Sequence, residues 1–180
     1  ANNFTLSIDY LLSGGSVVAP GQNANSAISE TVRIQNTSTS ALDFHFFTYT
    51  DFDLGGAGGS DTVQLGRNPL GLFNDSYQQN TLAGSAETVT TPGANRGEAD
   101  FWNNTLTRLN TIANYNLNNA SGPVGPGDVA WAFQWDLNIA PGGSAIISQD
   151  NYLSIMVPEP SILALLALGG LTCLLRRRTT

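Results

Sequence analysis

The sequence predicts a mainly β fold, an antiparallel β-sandwich with one inserted helix, followed by a single C-terminal transmembrane helix. Apolar and polar residues alternate over several short segments, turn-forming residues separate those segments, and a charge-free apolar run lies near the C-terminus. Alternation of this kind is typical of strands that bury one face. We therefore assign residues 1–156 to one β-sandwich domain and residues 157–180 to a separate terminal segment.

Four segments alternate most clearly, and three others do so more weakly. We predict strands at 4–12, 31–35, 42–46 and 129–137, and weaker strands at 87–91, 145–148 and 152–155. Gly-, Pro- and Ser-rich turn signals lie between them, for example at residues 13–15 and 141–143. Residues 116–128, which are rich in Asn, Gly and Pro, are predicted to be a loop.

One segment has helical spacing instead. Trp102, Leu106 and Leu109 lie four and three residues apart, which predicts a helix of three or four turns at about 98–113. Glu98 lies near the start of this segment, where negative charge suits the helix dipole. We expect the helix to pack over one edge or end of the sandwich.

The chain is acidic and contains no lysine. Its formal net charge is −7, and before residue 157 thirteen acidic side chains face four arginines. This balance excludes nucleic acid as a partner, because phosphates need basic patches. It suits a soluble secreted domain or one that binds cations. The single cysteine, Cys173, lies in the apolar run, so the sequence contains no disulfide framework.

The best candidate for a ligand site is an acidic, glycine-rich segment. Asp51 and Asp53 project to the same side of a strand end, and the glycine-rich residues 55–59 could fold the chain so that Asp61 joins them. Carboxylate and backbone oxygens are the ligands that calcium takes. The alternative is a solvated loop capped by Asx turns. Calcium is the one cofactor that the sequence suggests.

No convincing catalytic set is visible. His45 is the only histidine, so a two-histidine zinc site cannot be built, and we expect His45 to be a surface residue. No serine occupies a G-x-S-x-G elbow. The alternative that the protein is a hydrolase requires His45 to lie in a concave pocket near a carboxylate. We predict that the protein is not an enzyme.

The exposure of the tryptophans distinguishes a carbohydrate-binding module from a domain whose tryptophans only pack in the core. Trp131 and Trp135 share a face with the apolar residues of the strand at 129–137, so we expect both to pack in the core. Aromatic rings stack on sugars only where they are exposed. A carbohydrate-binding module would therefore need Trp102, Trp131 or Trp135 at the surface.

The C-terminal segment combines three features in a fixed order. Pro158, Glu159 and Pro160 form a Pro-Glu-Pro box, which cannot join a helix or a central strand. Residues 161–175 are uncharged, and we predict that they form a transmembrane helix of about 22 Å, short for a hydrocarbon core of about 30 Å. The basic residues that stop it are Arg176, Arg177 and Arg178.

This order resembles the PEP-CTERM sorting signal of bacterial exosortase substrates. The resemblance implies that exosortase, a membrane-embedded cysteine transpeptidase, recognises the box at 158–160, cuts near it and releases or transfers the body. The chain starts at Ala1 without an apolar signal sequence, so we expect that a secretion signal has been removed. The protein would be exported, anchored in the inner membrane by residues 161–175 before processing, and afterwards at the cell surface or outside the cell.

The body is also similar to the β-rich extracellular domains that often precede this signal, over residues 32–56 and 127–153. We therefore expect an exported, non-enzymatic structural protein of the cell surface or extracellular matrix, associated with exopolysaccharide or biofilm. The alternative is a carbohydrate- or calcium-binding extracellular module. Self-association is a further expectation, because the first strand lacks the lysines that protect a free edge from pairing.

Overall fold

The computed structural model describes residues 3–15, 18–54, 59–80 and 84–156, which form two antiparallel β-sheets and one helix. The elements are β1 (Phe4–Gly14), β2 (Asn23–Asn36), β3 (Leu42–Asp51), β4 (Asp61–Arg67), β5 (Phe73–Asn80), β6 (Gly84–Ala94), β7 (Arg96–Phe101), α1 (Trp102–Thr111), β8 (Val124–Gly127), β9 (Val129–Ile139) and β10 (Ser144–Met156). The large sheet has the strand order β1-β2-β10-β6-β5-β4-β8, and the small sheet has the order β3-β9-β7. The predicted mainly β fold with antiparallel sheets and one helix is confirmed.

The two sheets enclose a shared apolar core. Val32 and Ile34 contribute to it from the large sheet, and Trp131, Phe133 and Trp135 from the small sheet. The apolar residues of the alternation that predicted these strands are therefore those on the buried face of each strand. The prediction that Trp131 and Trp135 pack in the core is confirmed, since their exposed fractions are 0% and 1%.

The centre of the large sheet is a pair of long strands. β10 pairs with β2 over its whole length and with β6 along its second half. The two weak strands predicted at 145–148 and 152–155 are thus one continuous strand. Between them, Gln149 and Asn151 point to the core face but are polar and buried. Asn151 accepts a hydrogen bond from Thr88, whereas the buried Oε1 of Gln149 has no hydrogen-bond partner among the described residues.

The helix prediction at 98–113 is wrong at its N-terminal side. The helix begins at Trp102, and Glu98 lies in β7 opposite Ala132 of β9. The buried positions of β7 that face the core hold small residues, and a Cβ on Gly97 would lie only 2.9 Å from the ring of Phe73. Because Gly and Ala fill these positions, the strand shows no apolar alternation.

α1 and the chain that follows it lie on the outer face of the small sheet. Glu98 of β7 and Gln134 of β9 point to this outer side and are nevertheless fully buried. Leu117, beyond the helix, is also buried and donates its backbone N–H to Gln134. α1 and the chain after it therefore cover the outer face of β7 and β9, while His45 on the outer face of β3 stays exposed.

The predicted Pro-Glu-Pro box, the transmembrane helix at 161–175 and the three arginines behind it lie outside the described residues. Within the described part of the chain, the one helix is too short and too polar to cross a membrane.

Candidate functional site

Three carboxylates meet at one end of the small sheet. Asp51 ends β3, Asp53 follows it, and Asp128 comes directly before β9; an oxygen atom from each lies within 4.8 Å of the other two. The ladder between β3 and β9 explains the meeting, because Asp51 pairs with Ala130. Asp51 and Asp53 are exposed, and Asp128 is half-buried.

The three carboxylates repel one another. Burial raises the pKa of Asp51, and the charge of Asp128 raises it further. Burial also raises the pKa of Asp128, together with the charges of Asp53 and Asp61. Carboxylates held this close are stabilised when a cation lies between them, and a hard cation such as calcium prefers their oxygens.

Asp61, the third ligand predicted from the sequence, lies nearby but has other partners. It is 1% exposed and accepts hydrogen bonds from the backbone N–H of Leu54 at 3.1 Å, from Gln78 at 2.6 Å and from Asn80 at 2.5 Å. These bonds tie the segment after β3 to β4 and β5. The structure thus groups two of the predicted residues with Asp128, which sequence reasoning missed because it is distant along the chain.

The exposed tryptophan lies beside this acidic group. Trp102 is 40% exposed, its backbone N–H donates to the carbonyl of Asp128, and its own carbonyl accepts from the hydroxyl of Tyr49. The same hydroxyl oxygen lies 3.3 Å from Oδ2 of Asp51. One of the three tryptophans therefore meets the exposure that a sugar-stacking ring requires.

On the outer face of the small sheet, a buried carboxylate fixes α1 and the chain after it. Glu98 accepts hydrogen bonds from Thr105 at 2.7 Å, from Nε of Arg108 at 3.0 Å, from the hydroxyl of Tyr115 at 2.5 Å and from the backbone N–H of Asn118 at 3.1 Å. Burial alone would raise the pKa of Glu98, but these bonds hold it below its usual value. Burial and the bond to Glu98 raise the pKa of Tyr115 to about 12.

A cavity of about 620 Å³ opens between the outer face of β3 and the end of α1. Its lining residues are His45, Phe47, Leu109, Ile112, Asn114, Tyr115 and Asn116. Nδ1 of His45 lies 2.8 Å from Oδ1 of Asp136. The structure therefore places His45 in a concave pocket beside a carboxylate. This is the arrangement that the hydrolase alternative requires.

The cavity around His45 is lined by amide, aromatic and aliphatic side chains. None of the described residues that line the cavity is Ser, Thr or Cys, and the hydroxyl of Tyr115 donates to Glu98. A His–carboxylate pair needs a nucleophile or a positioned water within hydrogen-bond reach to act as a general base. The amides and aromatic rings of the lining are groups that hold a ligand.

At one edge of the large sheet, β1 is a strand whose eleven residues are all exposed, although the ring of Phe4 contacts that of Phe44 on β3. It pairs with β2 from Phe4 opposite Asn36 to Gly14 opposite Ser26, and among the described strands no other one pairs with it. Ile8 lies opposite Val32, which is a core residue. The apolar row of β1 therefore continues the core face of the large sheet into solvent.

Comparison with known proteins concerns the C-terminal segment. Residues 157–178 match a family model described as the PEP-CTERM protein-sorting motif. The match spans the Pro-Glu-Pro box, the apolar run and the arginines, so the resemblance seen in the sequence is confirmed. No curated protein matches the chain closely enough to count as a relative. The chain thus carries the PEP-CTERM protein-sorting motif, which implies that it is exported, sorted at a membrane and recognised by exosortase.

Proposed function

We propose that the protein is a non-enzymatic structural protein of the cell surface or extracellular matrix, and that copies of it assemble through β1. In this proposal exosortase processes the chain near residues 158–160, the run at 161–175 anchors it in the inner membrane until then, and the released body associates with exopolysaccharide or biofilm. The free, apolar edge of the large sheet is the observation that carries the proposal.

The side chains of β1 support assembly. Tyr10 is 67% exposed and Leu12 is 72% exposed, and the rest of the row consists of Phe4, Leu6 and Ile8. An exposed edge normally carries lysine, proline or inward-pointing charge that prevents pairing with another chain. β1 contains no lysine or proline, and its one charged residue, Asp9, is on the opposite face from the apolar row.

The partner that fits this edge best is a second copy of β1. An antiparallel pair centred on Ile8 would place Leu6 opposite Tyr10 and Phe4 opposite Leu12 of the second copy, so every pair on the core face is apolar. On the other face Ser7 would lie opposite Asp9, and like charges would not meet. Such a pair would join two seven-stranded sheets into one.

The test compares two lysine substitutions in β1 on the exported protein, recovered from outside the cells and measured by light scattering and electron microscopy. Ile8→Lys introduces a charge into the apolar row, and we expect it to convert assemblies into monomers. Ser7→Lys introduces the same charge one residue away, opposite Asp9 of the second copy, and we expect assembly to persist. Both positions are exposed, so neither change should unfold the domain.

Two results would contradict assembly through β1. One is a monomeric wild-type protein at the concentration found outside the cells. The other is an assembly that Ile8→Lys and Ser7→Lys affect equally, which would show that the apolar row is not the interface. Loss of assembly only when polysaccharide is removed would identify a different occupant of the edge.

A second candidate is the calcium-binding module expected from the sequence. The observation that favours it is the meeting of three carboxylates, Asp51, Asp53 and Asp128, within 4.8 Å. Calcium bound to the folded state would raise the unfolding temperature as its concentration rises. We expect Asp128→Asn to abolish this rise and Asp150→Asn, a matched change on β10, to preserve it. An unfolding temperature of the wild type that calcium leaves unchanged would exclude this candidate.

A further inference from the structure

We propose that the cavity between β3 and the end of α1 is a binding site for a neutral saccharide and that it accommodates one pyranose unit. Its volume of about 620 Å³ lies within the range of about 300–1,000 Å³ that is typical of small-molecule sites. Three features of the cavity fit such a ligand: a buried amide that fixes its polar groups, an apolar part of the lining, and the absence of Arg, Asp and Glu from the described lining residues.

A buried amide fixes the polar wall. Gln134 is 0% exposed, and its Nε2 donates to Oδ1 of Asn116 at 2.6 Å and to Oδ1 of Asp136 at 2.6 Å. Its Oε1 accepts the backbone N–H of Leu117 at 2.9 Å. One side chain below the cavity thus sets the position of the loop and of Asn116 before any ligand arrives. Preorganisation of this kind lowers the entropy lost on binding.

The same network orients His45. Nδ1 of His45 lies 2.8 Å from Oδ1 of Asp136, which also accepts from Gln134. In the neutral tautomer that carries its proton on Nδ1, Nε2 of His45 is a hydrogen-bond acceptor. Because Oδ1 of Asn116 is occupied by Gln134, its NH₂ group can donate to a ligand. An acceptor and a donor held by one hydrogen-bond network at the same cavity match the paired hydroxyl groups of a sugar.

The rest of the lining is largely apolar and partly aromatic. This part of the lining consists of Phe47, Leu109, Ile112 and the ring of Tyr115. The hydroxyl of Tyr115 is already engaged, because it donates to Glu98. The C–H face of a pyranose packs on such a surface while its hydroxyl edge meets the polar groups. A purely apolar ligand would leave the groups of His45 and Asn116 unpaired, at a cost in affinity.

The charge of the lining indicates a neutral ligand. None of the described lining residues is Arg, Asp or Glu, so a phosphate or an acidic sugar would find no permanently charged cation and an amine no carboxylate in direct contact. The two carboxylates behind the wall, Glu98 and Asp136, are engaged by protein donors. This site deepens the proposed matrix function and rests on it for the supply of polysaccharide.

Saturation-transfer NMR on the exported protein tests the site, with glucose, galactose, mannose and N-acetylglucosamine as probes. We expect at least one of them to bind with a Kd of about 1–10 mM. Asn116→Leu removes the fixed donor and should weaken binding about tenfold or more, and His45→Leu should do the same through loss of the acceptor. Asn103→Leu changes an exposed asparagine at the other end of α1 and should leave the Kd unchanged.

The proposal is overturned if none of the four sugars binds at about 100 mM, or if Asn116→Leu and His45→Leu, at wild-type unfolding midpoints, bind as the wild type does. Failure here is distinguishable from failure of the β1 proposal. Ile8→Lys should lose assembly and retain sugar binding, whereas Asn116→Leu should lose sugar binding and retain assembly. Loss of both properties in either variant would overturn the separation of the two sites.

Discussion

Glu98 connects three separate pieces of the chain on the outer face of the small sheet. Its carboxylate is fully buried and joins β7 to Arg108 of α1 and to Tyr115 and Asn118 beyond the helix. Arg108 also donates to Asp100 at 2.5 Å. Without Glu98, Arg108 would keep Asp100, but Thr105, Tyr115 and the backbone N–H of Asn118 would lose their acceptor.

Glu98→Ala should therefore be one of the most destabilising single changes in the domain. We expect the free energy of unfolding to fall by about 3 kcal/mol, measured by urea denaturation. Glu87→Ala changes an exposed glutamate on β6 and should alter that free energy by less than about 0.5 kcal/mol. Equal effects of the two substitutions would show that the Glu98 network does not hold α1 in place.

The same residue predicts how stability depends on pH. The folded state lowers the pKa of Glu98 and of Asp100. Both groups therefore contribute stability that is fully present above their unfolded pKa values and is lost as the pH falls through the folded ones. Urea midpoints measured from about pH 6 to about pH 3 should fall steeply for the wild type and less steeply for Glu98→Gln. Parallel curves for the two proteins would contradict this assignment.

β1 depends mainly on one neighbouring strand for its support. Its side chains are exposed along its whole length, and β2 supplies its strand pairing. Elements with few buried contacts open locally at low free energy. In monomeric Ile8→Lys protein we expect the amides of β1 to exchange faster than those of β2 or β9, and assembly of the wild type should slow them about tenfold or more. Exchange of β1 that is unchanged by assembly would place the interface elsewhere.

Which elements could be predicted depended on what fills their buried positions. β1, β3 and β9 place large apolar residues at every second position, so alternation alone identified them. β5 buries Ser76 and Gln78 instead, β4 offers only Val63 and Leu65, and β8 lies in a segment rich in Gly and Pro. None of these three strands has an alternation long enough to stand out from a loop.

The candidate sites show the same limit. The sequence placed Asp51 and Asp53 side by side because strand geometry fixes neighbours two residues apart. It could not find Asp128, which the ladder of β3 and β9 brings to them. The cavity could not be predicted from the sequence for a similar reason. Asn116, which lines it, belongs to a loop whose position is set by buried Gln134. Contacts between residues that are distant along the chain produce no recognisable residue spacing in the sequence.

At the scale of the whole molecule, the large sheet is wider than the small sheet that covers it. Seven strands face three, so the core face continues beyond the cover and ends in the apolar row of β1. A soluble monomer would expose this row permanently, whereas paired copies would bury it. The acidic charge of the chain keeps copies apart at long range, and we expect salt to promote assembly by screening it.

Cleavage of the C-terminal segment determines whether the β domain is released from the membrane to the outside of the cell. The sorting motif at 157–178 implies that exosortase recognises the chain, and the proposal places the cut near the Pro-Glu-Pro box. The most direct measurement is the intact mass of the protein recovered from outside the cells of its native host. We predict a C-terminus near residue 160, without the apolar run and Arg176–Arg178. An extracellular protein that retains the sequence through Thr180 would contradict the account.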